Sequence, residues 1–282
     1  MQISPATKLT AVIGDPIVHS LSPLLHNKVY EEEKVDAVML AFGNPSVEKL
    51  VAAMRALPIH LAAVTMPHKQ TIMPLLDEVD SVAKDIGAVN TVVYREGKLT
   101  GYNTDVVGIA KALMGVALQD ADVLLVGAGG AARTVAHYLR GEGAHIYCHN
   151  RDVAQAEQLS RTFGATHMKD VEEGPTSYRL IVNATPIGMN PEPDAMPVPE
   201  TVLKSDTVVF DLVYSPFETK LLKTAREKGA RGISGLTMFL AQGLEQERLW
   251  LGRQLDSSRY SALLEQYVQE RESKSQNPKP KM

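Results

Sequence analysis

The stretch "ADVLLVGAGGAARTVAHYLRGEGAHIYCHNR", residues 121–151, decides how the chain is read. An apolar run, a glycine-rich turn, a helical segment and a second apolar run follow one another within about thirty residues. That is the βαβ unit of a parallel sheet, in which a crossover helix returns the chain to a neighbouring strand. A glycine at 127 permits the tight turn out of the first strand. Gly129 lets backbone N–H groups approach a pyrophosphate resting on the positive end of the helix that starts near Ala131. Ala132 stands where a third fingerprint glycine could be. Strand before and helix after are the context that makes such a motif informative. The fold class is therefore α/β with a Rossmann-like dinucleotide-binding lobe.

About twenty residues beyond the turn, the second strand ends at Asn150 and Arg151, where an adenosine ribose is expected. An acidic residue ending that strand would select NAD. Arg151 instead offers a planar fork to a 2′-phosphate. Asp152 opposes that phosphate and Gln155 supplies no second cation. NADP is the expected cofactor, with NAD as the alternative.

Upstream, "KLTAVIG" reads as a strand and "SPLLHNKVYEEEKV" as a helix with Ser22 at its N-cap and Pro23 in its first turn. "AVMLAFG" and "HLAAVTM" read as strands and "VEKLVAAMRAL" as a helix. "LLDEVDSVAKDIG" is taken as a further helix, and "AVNTVVYREGKLTGYN" as a hairpin turning at "REGK". "DVVGIAKALMG" is helical, and "RLIVNAT" and "TVVFDLVY" are strands. The expected layout is an N-terminal α/β lobe over 1–103, a Rossmann-like lobe over 104–236, and a C-terminal helical segment, 237–271. The polar, proline-bearing residues 272–282 are expected to be disordered.

Composition bounds the function. The 282 residues are 44% hydrophobic and 22% charged, as in globular proteins. A net charge of -4 excludes general affinity for nucleic acid or anionic membranes. No run approaches the ~20 apolar residues of a membrane helix and no signal peptide is apparent, so a cytoplasmic location is expected. The single cysteine, Cys148, lies in an apolar run and reads as a reduced core position. His60, His68 and His149 are scattered, and no metal-ligand spacing or Ser-Tyr-x-x-x-Lys arrangement occurs.

Two polar segments remain at strand ends. "AVTMPHK", 63–69, carries Lys69, and "GYNTD", 101–105, carries Asp105. A lone lysine is usually solvated, and Asp105 could cap the helix starting at Val106. Their shared setting favours chemistry, because open α/β sheets bind ligands at strand ends.

Nine segments in order carry a resemblance to the shikimate dehydrogenase family: "GDPIVHSLSP", "AVTMPHK", "IGAVNT", "GYNTD", "GAGGAAR", "NR", "NATPIGM", "DLVYSPFET" and "GLTMFLAQG". The resemblance covers nearly the whole chain. It implies an N-terminal substrate lobe, a nicotinamide-cofactor lobe and C-terminal helices returning to the first. It also implies NADPH-dependent reduction of 3-dehydroshikimate to shikimate, a step of chorismate and aromatic amino acid biosynthesis.

By the same resemblance, Ser20 and Ser22 would bind the substrate carboxylate with Tyr214. Thr65, Asn90, Asp105 and Gln242 would hold the ring hydroxyls and the reacting oxygen, and Lys69 with Asp105 would be the catalytic pair. Gly127, Ala128, Gly129, Gly130 and Ala131 would hold the pyrophosphate, Asn150 and Arg151 the adenosine end, and Thr185, Leu212, Gly235 and Met238 the nicotinamide half. No metal is expected, and the chain is expected to be a monomer or homodimer.

Two departures stand out. Family members commonly read Asn-Val-Thr where this chain has Ala63-Val64-Thr65, and the adenosine clamp reads "NRDVAQ". These keep open a quinate/shikimate dehydrogenase using NAD. A ligand-sensing relative without turnover is the alternative of another class, disfavoured by the Lys69–Asp105 pair.

Overall fold

The computed structural model describes residues 3–264 and 266–267. The tail expected at 272–282 lies outside them, as do residues 268–271 of the expected returning segment. The chain forms two compact units, Met1–Val107 with Leu240–Tyr260, and a second built mainly from Gly108–Phe239.

The first unit holds, in order, β1 (Lys8–Gly14), α1 (Ser22–Glu32), β2 (Ala37–Gly43), α2 (Val47–Ala56), β3 (Leu61–Val64), β4 (Glu78–Val79), α3 (Ser81–Ile86), β5 (Thr91–Arg95) and β6 (Lys98–Tyr102). Helix α4 (Asp105–Ala112) starts here and continues into the second unit. The sheet runs β2-β1-β3-β5-β6-β4. Its β1–β2, β1–β3 and β4–β6 pairs are parallel, and β3–β5 and β5–β6 antiparallel. Apolar side chains of β1 and β3 pack against α2 through Val47, Leu50, Val51 and Met54, spaced three and four apart on one helix face.

The β5–β6 hairpin turns at Glu96 and Gly97, both with positive φ (52° and 82°), the backbone of a two-residue type I′ turn. Helix α1 departs from its expected cap. Leu21 is the N-cap and Ser22 the first helical residue, because Ser22 N–H donates to Ser20 Oγ at 3.2 Å. The helix expected across "LLDEVDSVAKDIG" is confined to Ser81–Ile86. Asp77 is held by Leu99 N–H and Arg55, Glu78 and Val79 pair with β6, and Asp80 caps α3 by accepting from Val82 N–H. Tertiary strand pairing overrides local helix propensity there.

The second unit holds β7 (Asp122–Val126), α5 (Gly130–Gly141), β8 (His145–His149), α6 (Val153–Phe163), β9 (Thr166–Met168), β10 (Leu180–Asn183), β11 (Val208–Asp211), α7 (Lys220–Glu227) and β12 (Arg231–Ser234). Helix α8 (Gly235–Leu251) begins here and ends in the first unit. All pairs are parallel and the order is β12-β11-β10-β7-β8-β9. Renumbered within the unit this is 3-2-1-4-5-6 read from the β9 edge, the doubly wound dinucleotide-binding order. Strands β7, β10 and β11 are near-continuous apolar runs because both faces are covered. One face packs on Ala132, Val135, Ala136 and Leu139 of α5, and the other on Leu221, Leu222 and Ala225 of α7. Among the described residues no helix is long and apolar enough to cross a membrane.

Candidate active site

In the first sheet the chain leaves β1 for β2 on one side and returns to β3 on the other. The carboxyl ends of β1 and β3 therefore flank a topological switch point, where open α/β sheets bind ligands. The segments that follow these strands are laced together. Thr65 N–H donates to Ile13 O at 2.9 Å, and Asp15 N–H to Met66 O at 3.0 Å. His68 N–H donates to Thr65 O, and the His68 ring to Asn44 O at 2.8 Å. Val89 N–H donates to Lys69 O at 2.7 Å, which ties the backbone of Lys69 to the turn before β5. Ser20, Ser22 and Thr65 all sit in or beside these segments; Ala63 is a buried residue of β3.

Lys69 and Asp105, thirty-six residues apart in sequence, meet through Nζ and Oδ2 at 2.6 Å. Their side chains are 17% and 5% exposed, so the pair is shielded without being sealed. Asp105 does not cap α4. Its other oxygen, Oδ1, accepts from Asn90 Nδ2 at 2.8 Å. The same Asn90 amide lies within bonding distance of Thr104 Oγ1 (3.0 Å) and Gln242 Oε1 (3.2 Å). Asn90 Oδ1 accepts from Thr91 Oγ1 and from Thr104 N–H at 2.7 Å. Asn90 is thus a buried hub that orients the carboxylate, which in turn orients the ammonium. An ammonium has three N–H donors. Asp105 is its one hydrogen-bond partner among the described residues, so two donors remain for an oxygen of a bound molecule.

Thr91 and Thr104, which complete the hub, have no distinguishing sequence signal beyond lying next to Asn90 and Asp105. His60 and Trp250 pack within the first unit, their rings 6.1 Å apart.

In the second unit the switch point lies between β7 and β10. Gly127 follows β7 with φ +115°, and a Cβ there would lie 3.0 Å from Ala184 O and 3.1 Å from Thr185 Cγ2. Gly129 is the N-cap of α5, and a Cβ on it would meet no atom within 4 Å. Open space at a helix N-terminus whose first N–H groups have no intrahelical partner is what a pyrophosphate requires, so Gly127, Ala128, Gly129, Gly130 and Ala131 fit a dinucleotide.

Asn150 and Arg151 follow β8. Asp152, which the sequence sets against a 2′-phosphate, caps α6. It accepts from Gln155 N–H at 3.2 Å and from Gln155 Nε2 at 2.8 Å, and the helix dipole offsets its charge. Gln155 is occupied by the same cap.

Thr185 is held by Asn183, whose Oδ1 accepts from Thr185 N–H (3.1 Å) and Oγ1 (2.6 Å). Leu212 follows β11, and Gly235 packs so close to the Leu212 carbonyl that a Cβ there would overlap it. Met238 is mostly buried in the core of the second unit. Tyr214 stands 5.0 Å, ring to ring, from Phe239. Cys148 is fully buried with its thiol pushed up to about 12 by burial, so it is no nucleophile. Among the described residues no group of His, Cys, Asp or Glu gathers that could hold a metal ion.

Asp211, ending β11, is fully buried and accepts from Thr219 Oγ1 (2.6 Å), Asn183 Nδ2 (2.9 Å) and Val213 N–H (3.1 Å). Burial raises its carboxyl from 3.8 to about 6, outweighing those hydrogen bonds. A raised native value means the folded state holds the proton more tightly. The contribution is fully present below about pH 3.8 and is lost as pH rises through about 6. Asp211→Asn keeps the shape without the charge. It is expected to be at least as stable as the parent at pH 7.5, with an advantage on the order of 2–3 kcal/mol that shrinks toward pH 4.5. Melting temperatures of both proteins across that range check this; a gap that does not vary with pH rules it out.

The chain is similar to known proteins along most of its length. The family described as shikimate dehydrogenase substrate binding domain matches residues 12–92, and that described as shikimate / quinate 5-dehydrogenase matches residues 108–187. The chain is 41% identical over 269 residues to the shikimate dehydrogenase (NADP(+)) of Bacillus cereus strain AH187, covering 91% of this chain and 97% of that protein. It resembles a solved shikimate dehydrogenase in complex with NADP+ at TM-score 0.86 and 36% identity, over 95% of this chain and 98% of that one. It also resembles the Thermus thermophilus shikimate 5-dehydrogenase, solved with NADP(H) and shikimate, at TM-score 0.81 and 35% identity, over 90% and 97%.

Proposed function

The chain belongs to the shikimate dehydrogenase family, and we propose that Lys69 and Asp105 carry out its proton chemistry on a substrate held in the first unit. The protein is an NADP-dependent oxidoreductase that interconverts 3-dehydroshikimate and shikimate. The observation that carries the assignment of residues is the 2.6 Å Lys69–Asp105 pair, braced by Asn90 at a switch point.

The first unit binds the substrate and the second the cofactor. Ser20 and Ser22 hold the substrate carboxylate. Thr65, Asn90, Asp105 and Gln242 hold the ring hydroxyls. The backbone of Gly127–Ala131 cradles the pyrophosphate, Asn150 and Arg151 take the adenosine end, and Thr185, Leu212, Gly235 and Met238 line the nicotinamide half. NADPH, when bound, supplies the hydride.

Ketone reduction builds negative charge on the carbonyl oxygen. The Lys69 ammonium stabilises that charge and then transfers a proton from Nζ to the oxygen. In the reverse direction the Lys69 amine takes the hydroxyl proton. Asp105 keeps Nζ aimed, and Asn90 keeps Asp105 from rotating. Each of these groups is held by a partner before substrate arrives, so little ordering remains for the reaction to do.

Steady-state rates with shikimate and quinate, each with NADP and NAD, test the assignment. Shikimate with NADP is expected to give the highest kcat/KM, by about tenfold or more over each other combination. A preference for quinate with NAD would reassign the substrate, and no turnover with any combination would mark a binding protein.

A further inference from the structure

One turn beyond the proposed substrate residues, the first unit contains a cluster with no part in that chemistry. His26 lies four residues after Ser22 on α1, and Glu247 five residues after Gln242 on α8. His26 Nδ1 and Glu247 Oε1 are hydrogen-bonded, and both side chains are 0% exposed. The two helices are otherwise in close contact: a Cβ on Gly243 would lie 2.6 Å from Leu25 Cδ2 and 3.7 Å from His26 Nε2. Gln246, beside Glu247, donates from Nε2 to Asn90 O at 3.3 Å. Helix α8 is therefore attached to the Asn90 hub by two amides one turn apart, Gln242 and Gln246, and to α1 by Glu247.

A fully buried acid and imidazole are a poor way to gain stability. Their desolvation offsets most of the attraction, and apolar pairs of similar volume are often as stable or more so. What a directional pair supplies, and an apolar contact does not, is a fixed register between two helices. We propose that His26 and Glu247 are positioning residues for substrate binding: they clamp α1 to α8 and so fix the spacing between Ser22 and Gln242. This rests on the assignment of Ser22 and Gln242 to the substrate.

The residues around the clamp come from both helices and from β1. On α1, Tyr30 has its ring 6.4 Å from that of His26 and its hydroxyl bonded to Thr10 of β1 at 2.9 Å. Burial, and then the charge of Glu247, raise the Tyr30 hydroxyl well above its ordinary value, so it stays neutral. On α8, Trp250 stands edge-on to Tyr30 at 5.7 Å; the charge of Lys8 and the ring of His60 lie against Trp250.

The test combines His26→Met with Glu247→Met in the full chain, because methionine adapts to irregular space. With shikimate and NADP, KM for shikimate is expected to rise about tenfold or more while kcat stays within about threefold. KM for NADP and the melting temperature are expected to hold or, for the latter, rise. A shikimate KM within about twofold of the parent overturns the clamp. Should that variant fail to fold, Glu247→Leu and Glu247→Gln decide, since the first removes the acceptor at similar volume and the second keeps it. Glu247→Leu is expected to raise the shikimate KM about tenfold or more with kcat within about threefold, and Glu247→Gln to bring it back to within about threefold of the parent. A shikimate KM in Glu247→Leu within about twofold of the parent overturns the proposal. Parent protein without shikimate turnover sinks the substrate assignment itself, and the clamp falls with it.

Discussion

Lys69→Ala is expected to lower kcat for shikimate oxidation by about 10²-fold or more while leaving KM within a few fold. The asymmetry follows from where the ammonium acts. Charge on the reacting oxygen is largest in the transition state, so a group aimed at it contributes little to ground-state binding. The carboxylate, hydroxyl and amide groups that hold the substrate remain in place. Removing the ammonium leaves Asp105 with Asn90 Nδ2 as its principal partner, so a fall in melting temperature should accompany the fall in rate. Lys69→Arg separates two roles. A guanidinium keeps the charge but does not give up a proton near neutral pH. If proton transfer is the larger contribution, Lys69→Arg stays close to Lys69→Ala; if charge alone matters, it recovers most of kcat. An unchanged kcat in Lys69→Ala removes the residue from catalysis.

Gly127→Ala is expected to weaken NADP binding by about tenfold or more and to destabilise the second unit by on the order of 1–3 kcal/mol. At φ +115° an L side chain is strained wherever it points, and this one would press on the Ala184 carbonyl at 3.0 Å. Neither side can yield easily. Gly127 N–H donates to His149 O and Ala184 N–H to Val126 O, both at 2.8 Å, so the turn is stitched to β8 and β7. Gly129→Val is the matched control. Its φ of -74° suits any residue, and its side chain would project into open space. It should lose NADP affinity with little loss of stability. Titration of NADPH fluorescence and thermal melts of the two variants check both halves. Full NADP affinity in Gly127→Ala would mean that the cradle lies elsewhere.

Much of the architecture was legible in the residues because it depends on neighbours in sequence. The β7–α5–β8 unit announces itself through an apolar run, three glycines and an amphipathic helix. The hairpin at Glu96-Gly97 follows from a two-residue turn needing positive φ. The short strands β4, β9 and β12 were not legible. Two to four residues carry too little periodicity, and what makes them strands is the neighbour they pair with.

The candidate site divides along the same line. Local sequence determined that an ammonium, a carboxylate and an amide would each stand at a strand end. It also determined that a glycine-rich turn would open onto a helix N-terminus. Only the tertiary structure decided that Asn90 joins Asp105, Thr104 and Gln242, the last 152 residues away, and that His26 finds Glu247 across 221 residues. The reason is physical. Periodicity and turn chemistry act over a few residues, whereas strand order and helix docking bring distant segments together through burial of apolar faces that specify no particular polar partner. The buried polar groups must then find one another, because each left alone in the interior would cost more than the fold gains.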